Sequence, residues 1–313
     1  MTNTATHIDN ATFAPLTQAR ELVLPTREAM LQRAPSVKRF WDSNAQLLTD
    51  AWQAWEISDE SPTVKPNTSL LDPRLKNAVE QAWQDPSKEN AVKDLWEEVS
   101  AGVYQAQIFD PERLAELRTY LEATANAGIP TRPPYGIALN RNGAMLDQRS
   151  EGYLAAPAFQ GFYREFMDSY MRPIARLLFP GVMGYDSQTF GFSIQYQTGM
   201  DTSLQPHTDA SAATMNININ LPDESFTGSE VDFYDQVSGN VNRIVFKPGT
   251  AMIHRGSIPH AAHPITSGTR SNLVFWLYGD RMQIPLAGQR TEQVDAKLRW
   301  KISNTKTDTY APF

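Results

Sequence analysis

Cysteine is absent from all 313 residues of the chain. That excludes disulfides, thiolate-ligated haem and cysteine-bound iron–sulfur clusters, and it suits a reducing cytoplasm. Long apolar runs are missing too: none approaches the roughly 20 residues a membrane-spanning helix needs. The opening stretch MTNTATHIDNATF has neither a basic start nor an apolar segment, so no secretory signal is expected. There is no basic run, and the formal net charge is -7, which argues against a surface that tracks nucleic-acid phosphates. Internal repeats and low-complexity tracts are absent. Histidine is scarce, with five in the whole chain. The remainder is ordinary globular composition, 41% hydrophobic and 20% charged, enough to build a sizeable core.

Residues 1–130 read as a helical N-terminal region. ELVLPTREAMLQRAP, SVKRFWDSNAQLLTDAWQAWE, DPRLKNAVEQAW and DPERLAELRTYLEATANAG carry apolar residues at three- and four-residue spacing. Several open on Asp-Pro or Ser, which suit a cap and first turn. Trp41, Trp52, Trp55, Trp83 and Trp96 recur on these faces and are expected to be packing anchors rather than binding groups. After the loop GIPTRPPYG, a strand and a turn at Asn142-Gly143 are expected. PAFQGFYREFMDSYMRPIARLLFPG, from 157 to about 180, is an amphipathic support helix, kinked near Pro173 and stopped at Pro180-Gly181. From about 184 to 280 the texture changes to short β-type runs separated by turn residues: QTFGFSIQYQ, ATMNININL, SEVDFYD, NRIVFK, TAMIH and SNLVFWLYG. Such spacing argues for a sandwich or small barrel. The expected organisation is therefore α+β, with a β core over 131–290 and a C-terminal helix and tail over 291–313.

Four of the five histidines fall between positions 207 and 263, inside the β-rich part; the fifth is His7. PHTD places His207 and Asp209 two residues apart at a strand end. A further histidine on a later strand would complete two imidazoles and one carboxylate. On an octahedral metal that set leaves three vacant positions, the arrangement of non-haem Fe(II) oxygenases. His254, His260 and His263 compete for the distal place. ATMNININL alternates strictly, so Thr214, Asn216, Asn218 and Asn220 share one strand face and Met215, Ile217, Ile219 and Leu221 the other. Asparagine is a poor strand former. Three on one face imply a wet face or one that binds something polar.

These residues resemble the Fe(II)/2-oxoglutarate dioxygenases, in particular the prolyl-4-hydroxylase-like branch. The resemblance covers residues 185–280, about a third of the chain. It rests on PHTD, on Thr214 and the following INL, on FTGSEVDFYD and on FKPGTAMIHRGSIPHAAHPITSGTR. It implies a double-stranded β-helix (jelly-roll) core with the helical region packed on it, and Fe(II), 2-oxoglutarate and O₂ as cofactor and co-substrates. It selects His260 as the distal ligand, because Pro264 follows four residues on and Arg270 ten residues on. His254 then becomes a residue supporting the ligands or contacting substrate, and His263 a surface or strand-edge residue.

The same resemblance makes Arg270 the anchor for the far carboxylate of 2-oxoglutarate. A planar guanidinium pairs with a carboxylate through two parallel hydrogen bonds; taken alone, Arg270 would pass for a solvated arginine after a Gly-Thr turn. Asn218, Asn216, Tyr196 and Asn272 are implied as further co-substrate residues, and Asn220 as a turn former. Gln195 faces opposite to Tyr196, so one of the two points inward. Arg141 and Arg149 are candidate clamps for a substrate anion, although solvated surface charge is the commoner role.

The expected activity is oxidation, most simply hydroxylation, of a C–H bond in a small-molecule substrate, with release of succinate and CO₂. Desaturation and cyclisation remain open. Halogenation is not expected, since halogenating relatives replace the carboxylate that Asp209 retains. A cupin-type metalloenzyme without 2-oxoglutarate, a protein-side-chain hydroxylase, a zinc hydrolase and a non-catalytic module are the competing readings. Neither a nucleic-acid nor a membrane partner is expected. Monomer and homodimer are both open.

Overall fold

Period-two patterning beyond residue 187 becomes two facing antiparallel sheets in the computed structural model, which describes residues 10–134, 143–199, 203–279 and 295–302. Helices α1 (Asn10–Arg20), α2 (Arg27–Leu31), α3 (Pro35–Glu56), α4 (Pro73–Gln84) and α5 (Asn90–Lys93) come first, then strands β1 (Glu97–Ser100) and β2 (Val103–Gln107). Helices α6 (Leu114–Asn126), α7 (Pro157–Phe166) and α8 (Arg172–Leu178) follow. The β-rich part holds β3 (Gln188–Gln197), β4 (Leu204–His207), β5 (Ala213–Asn218), β6 (Thr227–Gly228), β7 (Val231–Tyr234), β8 (Val241–Ile244), β9 (Thr250–His254), β10 (His260–Ala262), β11 (Ile265–Ser267) and β12 (Thr269–Tyr278). Helix α9 (Ala296–Arg299) ends the described chain.

The larger sheet has six strands in the order β1-β2-β9-β5-β12-β3, and the smaller has four, β4-β10-β7-β8. A two-stranded ladder, β11-β6, flanks them. The six-stranded sheet is buried on both faces. Met215, Ile217, Ala251, Ile253, Leu273 and Phe275 point outward into one core shared with Trp52, Trp55, Phe109, Phe159 and Phe166 of the helical layer. The Phe275 ring lies 5.4 Å from Tyr163 and 5.6 Å from Phe166, which fixes α7 across the sheet. On the inner face Phe190, Phe192, Ile194 and Trp276 pack with Ala262 and Ile265, while Val103 and Met252 meet Val231 and Phe233 across the sandwich.

Four tryptophans are the anchors their spacing implies: Trp41, Trp52, Trp55 and Trp96 are buried. Trp83, half-buried, donates its indole N–H to the Ser169 carbonyl at 2.8 Å. That carbonyl is free because Pro173, four residues on, has no N–H to offer it. The support helix meets Pro173 by widening to a π-turn at Met167–Met171 rather than by a simple kink.

The helical N-terminal region departs from expectation in three places. α1 is present, and the helix expected over 21–35 shrinks to α2. Residues 97–107 form β1 and β2, and β2 adds to the sheet along β9 with Val103 opposite His254. The helices lie against the outer sheet face, on the side away from the Asn-bearing face, so among the described residues they are no cover for the site. His7, Arg141, Asn142 and the tail beyond 302 lie outside the described residues. Among the described residues no helix is long and apolar enough to cross a membrane.

Candidate metal and co-substrate site

β4 ends on His207 and β10 begins on His260, and these two residues are register partners in adjacent strands. The pairing brings their rings to 4.3 Å between centroids. Asp209 lies just past the end of β4, held by its own N–H bonding to the Gly256 carbonyl at 2.9 Å. The ligand atoms of His207, Asp209 and His260 all lie within 4.8 Å of one another. His207 Nε2 is 3.5 Å and His260 Nε2 3.9 Å from the Asp209 carboxylate.

Each imidazole is oriented from behind. His207 Nδ1 donates to the Gln205 carbonyl at 2.7 Å and His260 Nδ1 to the Ile258 carbonyl at 3.1 Å. A carbonyl only accepts, so the proton sits on Nδ1 and the bare Nε2 is left as the ligand atom. Phe233 backs the His260 ring, with centroids 5.6 Å apart. Thr214 Oγ1 donates to Asp209 Oδ2 at 2.6 Å and pairs with Ser211 Oγ at 2.8 Å. Burial alone would raise the Asp209 carboxyl, but the His207 hydrogen bond and the neighbouring imidazoles hold it down at about 2. Burial, reinforced by His254, pulls His260 down to about 4. Burial also opposes protonation of His207, yet the Asp209 and Gln205 hydrogen bonds prevail and raise it. With the Asp209 carboxylate ionised, the cluster offers a two-nitrogen, one-oxygen donor set.

Gly256 makes this geometry possible. A Cβ there would stand 2.2 Å from the Ser211 carbonyl oxygen and 2.6 Å from that of Asp209.

The triad opens on a cavity of about 250 Å³ lined by Phe192, Ile194, Tyr196, Asn216, His254 and Trp276, among others. The Asn face of β5 is therefore turned inward. It is mostly dry: Asn218 and Asn272 are fully buried and Asn220 nearly so. Asn218 Nδ2 donates to the side-chain oxygens of Asn220 and Asn272 at 2.9 and 3.1 Å, and Asn272 Nδ2 donates to Asn216 Oδ1 at 2.6 Å. Asn220 in turn bonds the Thr269 carbonyl and accepts from the Ser271 N–H. The sequence pattern pointed to ligand contacts for Asn218 and Asn272. The structure instead commits their amide groups to a network tying β5 to β12. Asn216 is half-buried and reaches the cavity.

Arg270 is 1% exposed on β12, opposite Tyr196 of β3. Its guanidinium lies 4.4 Å from the Tyr196 ring centroid and 5.2 Å from that of Phe246. One N–H goes to the Ser229 carbonyl. Nε has no hydrogen-bond partner, and no carboxylate reaches salt-bridge distance among the described residues. Burial pulls this guanidinium below its ordinary value. A buried cation without an anion is costly. A buried guanidinium with no carboxylate at salt-bridge distance among the described residues fits the far carboxylate of a 2-oxo diacid, and the donor set fits Fe(II).

The remaining candidates separate. His254 lines the cavity with its ring 4.7 Å from His260 and donates Nδ1–H to the Arg255 carbonyl. Gln195 faces the other side of the sheet and meets Ser271 Oγ at 3.3 Å. Arg149 is away from the triad: it donates to Tyr278 Oη at 2.6 Å and borders a separate cleft beside Trp41. His263 is bound to Asp232 at 2.6 Å on the outside of the smaller sheet. Thr214, Gly256, Phe233 and Ser229 gained no site role from sequence reasoning. Thr214 alone carried a signal, since it shares the Asn face.

No family model matches the chain. Curated relatives do. The chain is 30% identical over 187 residues to 2-oxoglutarate and iron-dependent oxygenase domain-containing protein 2 of Xenopus tropicalis, covering 56% of this chain and 48% of the relative. It is 30% identical over 114 residues to procollagen-lysine,2-oxoglutarate 5-dioxygenase 1 of Rattus norvegicus, covering 36% and 15%. The chain thus spans about half the length, or less, of the curated relatives it matches. Among solved structures, a Pseudomonas putida prolyl-4-hydroxylase aligns with a TM-score of 0.43 at 15% identity, over 66% of this chain and all of that one. The chain is a homologue of the iron- and 2-oxoglutarate-dependent oxygenases, a group whose cofactor and co-substrates are iron, 2-oxoglutarate and O₂, and its His207, Asp209 and His260 form a cluster able to hold a metal ion.

Proposed function

We propose that the protein hydroxylates a C–H bond of a small-molecule substrate on a double-stranded β-helix, consuming 2-oxoglutarate and O₂ and releasing succinate and CO₂. The observation that carries this is the pairing of the triad with Arg270, a buried cation with no carboxylate at salt-bridge distance among the described residues. Bound iron would supply the oxidising chemistry, in which one oxygen atom of O₂ enters succinate and the other the substrate. The chain supplies the rest. His207, Asp209 and His260 would hold the metal. Arg270 orients the diacid by its far end. Phe192, Ile194 and Trp276 exclude water from the cavity.

Asp209 occupies the position a halide would need, which supports oxygenation over halogenation. A cavity of about 250 Å³ leaves room for only a compact group beside the co-substrate, in keeping with a small substrate. A protein side chain is the second reading, favoured by the similarity to a procollagen-lysine dioxygenase. A cytoplasmic location and the absence of nucleic-acid and membrane partners belong to the same proposal.

The test is anaerobic addition of Fe(II), then 2-oxoglutarate, with the visible metal-to-ligand charge-transfer band as readout. The expected band disappears in His260→Ala and needs far more co-substrate in Arg270→Ala. Bound iron without a band would replace this assignment with a cupin-type enzyme that uses no 2-oxo acid. Succinate release against panels of small molecules and of peptides then separates the two substrate classes.

A further inference from the structure

His254 ends β9 in register with Thr214, the residue that bonds Asp209, and its ring lies 4.7 Å from that of His260. It is 2% exposed, yet it lines the cavity on which the triad opens. Its Nδ1 faces the Arg255 carbonyl at 2.9 Å, so the ring proton sits there and Nε2 is left as a bare acceptor. That nitrogen has no hydrogen-bond partner among the described residues, and it is not sealed off from the cavity. Nor is it a metal ligand: the atoms that converge belong to His207, Asp209 and His260. Neither co-substrate can use it. The 2-oxoglutarate dianion offers only acceptors, for which Asn216 Nδ2 is the donor on the same wall, and O₂ carries no hydrogen. The wall is also poor in charge. Among the described residues that line it, Asp209 alone carries a formal charge, and the triad uses it.

We propose that His254 is a specificity-determining residue whose Nε2 accepts a hydrogen bond from the substrate. The group that enters the cavity is uncharged and carries an O–H or N–H, as in an alcohol or a carboxamide, with the oxidised C–H beside it. An ammonium group does not fit, because no lining carboxylate is left to pair with it. A group without a donor strips water from Nε2 and leaves it unpaired. This rests on the iron and 2-oxoglutarate assignment above and narrows its substrate class.

The probes are 1-butanol, its isomer methyl propyl ether, which has no donor, and butylammonium. Each is titrated into protein holding 2-oxoglutarate and Mn(II), which replaces Fe(II) because it broadens the proton NMR lines of molecules bound close to it. In wild type, 1-butanol should bind about tenfold more tightly than the ether, the worth of one hydrogen bond. Butylammonium should bind more weakly than the alcohol. His254→Asn keeps a donor for the Arg255 carbonyl but has no acceptor at the Nε2 position, and should bring alcohol and ether within about twofold of each other. His254→Gln, whose amide oxygen reaches that position, should restore the preference; circular dichroism verifies both folds. Equal binding of alcohol and ether to wild type, tightest binding of butylammonium, no broadening of any probe, or a preference that survives His254→Asn overturns the role of His254. The wild-type comparison of the two isomers decides the matter even where a variant fails to fold. The Fe(II) charge-transfer band with 2-oxoglutarate, recorded first, keeps two failures apart. Bound iron without a band overturns the assignment on which this rests, whereas a band followed by any of those results overturns the role of His254 alone.

Discussion

Replacing Arg270 with methionine should make the ligand-free protein more stable while abolishing co-substrate binding. Arg270 is 1% exposed and, among the described residues, has no carboxylate at salt-bridge distance. Holding an unpaired charge at such depth costs several kcal/mol even after relaxation. Two of its favourable contacts, taken with the more distant Phe246 ring at 5.2 Å, offset part of it. Stacking on Tyr196 at 4.4 Å contributes about 1 kcal/mol, and the bond to the Ser229 carbonyl contributes about 1 to 2 kcal/mol. Methionine keeps most of the apolar stem and forfeits both contacts, so the expected net gain is about 1 to 2 kcal/mol. For a chain of this size that is roughly 2–3 °C in Tm. The assay is thermal or urea unfolding of metal-free protein, repeated with Fe(II) and 2-oxoglutarate. Ligand at about 100 times its Kd should stabilise wild type by roughly 2.7 kcal/mol and leave the variant unmoved. If Arg270→Met instead loses stability without ligand, the guanidinium is structural and its unpaired charge is no evidence of a bound anion.

Thr214→Val removes the 2.6 Å bond to Asp209 and should weaken iron binding about 10- to 100-fold, measured by metal titration with unfolding as a control. Gly256→Ala would force a Cβ to 2.2 Å from a backbone carbonyl and should cost about 1–3 kcal/mol, accompanied by weaker metal binding; a variant as stable and as metal-competent as wild type would refute the crowding argument. His260 gives a pH signature. Its imidazole takes a proton near 6.5 in the unfolded chain but only at about 4 in the fold, so the unfolded state binds more protons in that window. The stability of metal-free protein contributed by neutral His260 is complete above 6.5 and falls with pH toward about 4. Comparing His260→Gln with wild type between those limits should show the variant losing less stability as pH drops.

Much of the site was legible because its information is local. The His-x-Asp pair, the distal histidine and the arginine ten residues on are spacings along neighbouring strands, and a strand converts spacing into position without help from the rest of the fold. The alternation in β5 also settled which residues share a face. It could not say which face meets the cavity or whether the asparagines are wet. Burial by both the helical layer and the smaller sheet decided that, and it turned the expected ligand contacts of Asn218 and Asn272 into an internal network. β1 and β2 were missed because four- and five-residue strands at a sheet edge carry little periodicity of their own; pairing with β9 selects them.

By itself, then, the sequence determined the chemistry available: no thiols, a nitrogen–oxygen donor set, one arginine in register with it, and apolar stripes sufficient for a two-faced sheet. Only the tertiary structure decided which of those groups go unsatisfied. Arg270 and Ser229 lie 41 residues apart, and nothing in either local sequence marks them as partners. They meet because the Arg270 guanidinium of β12 reaches the turn between β6 and β7, and the energy of a polar group depends on what surrounds it in space rather than along the chain.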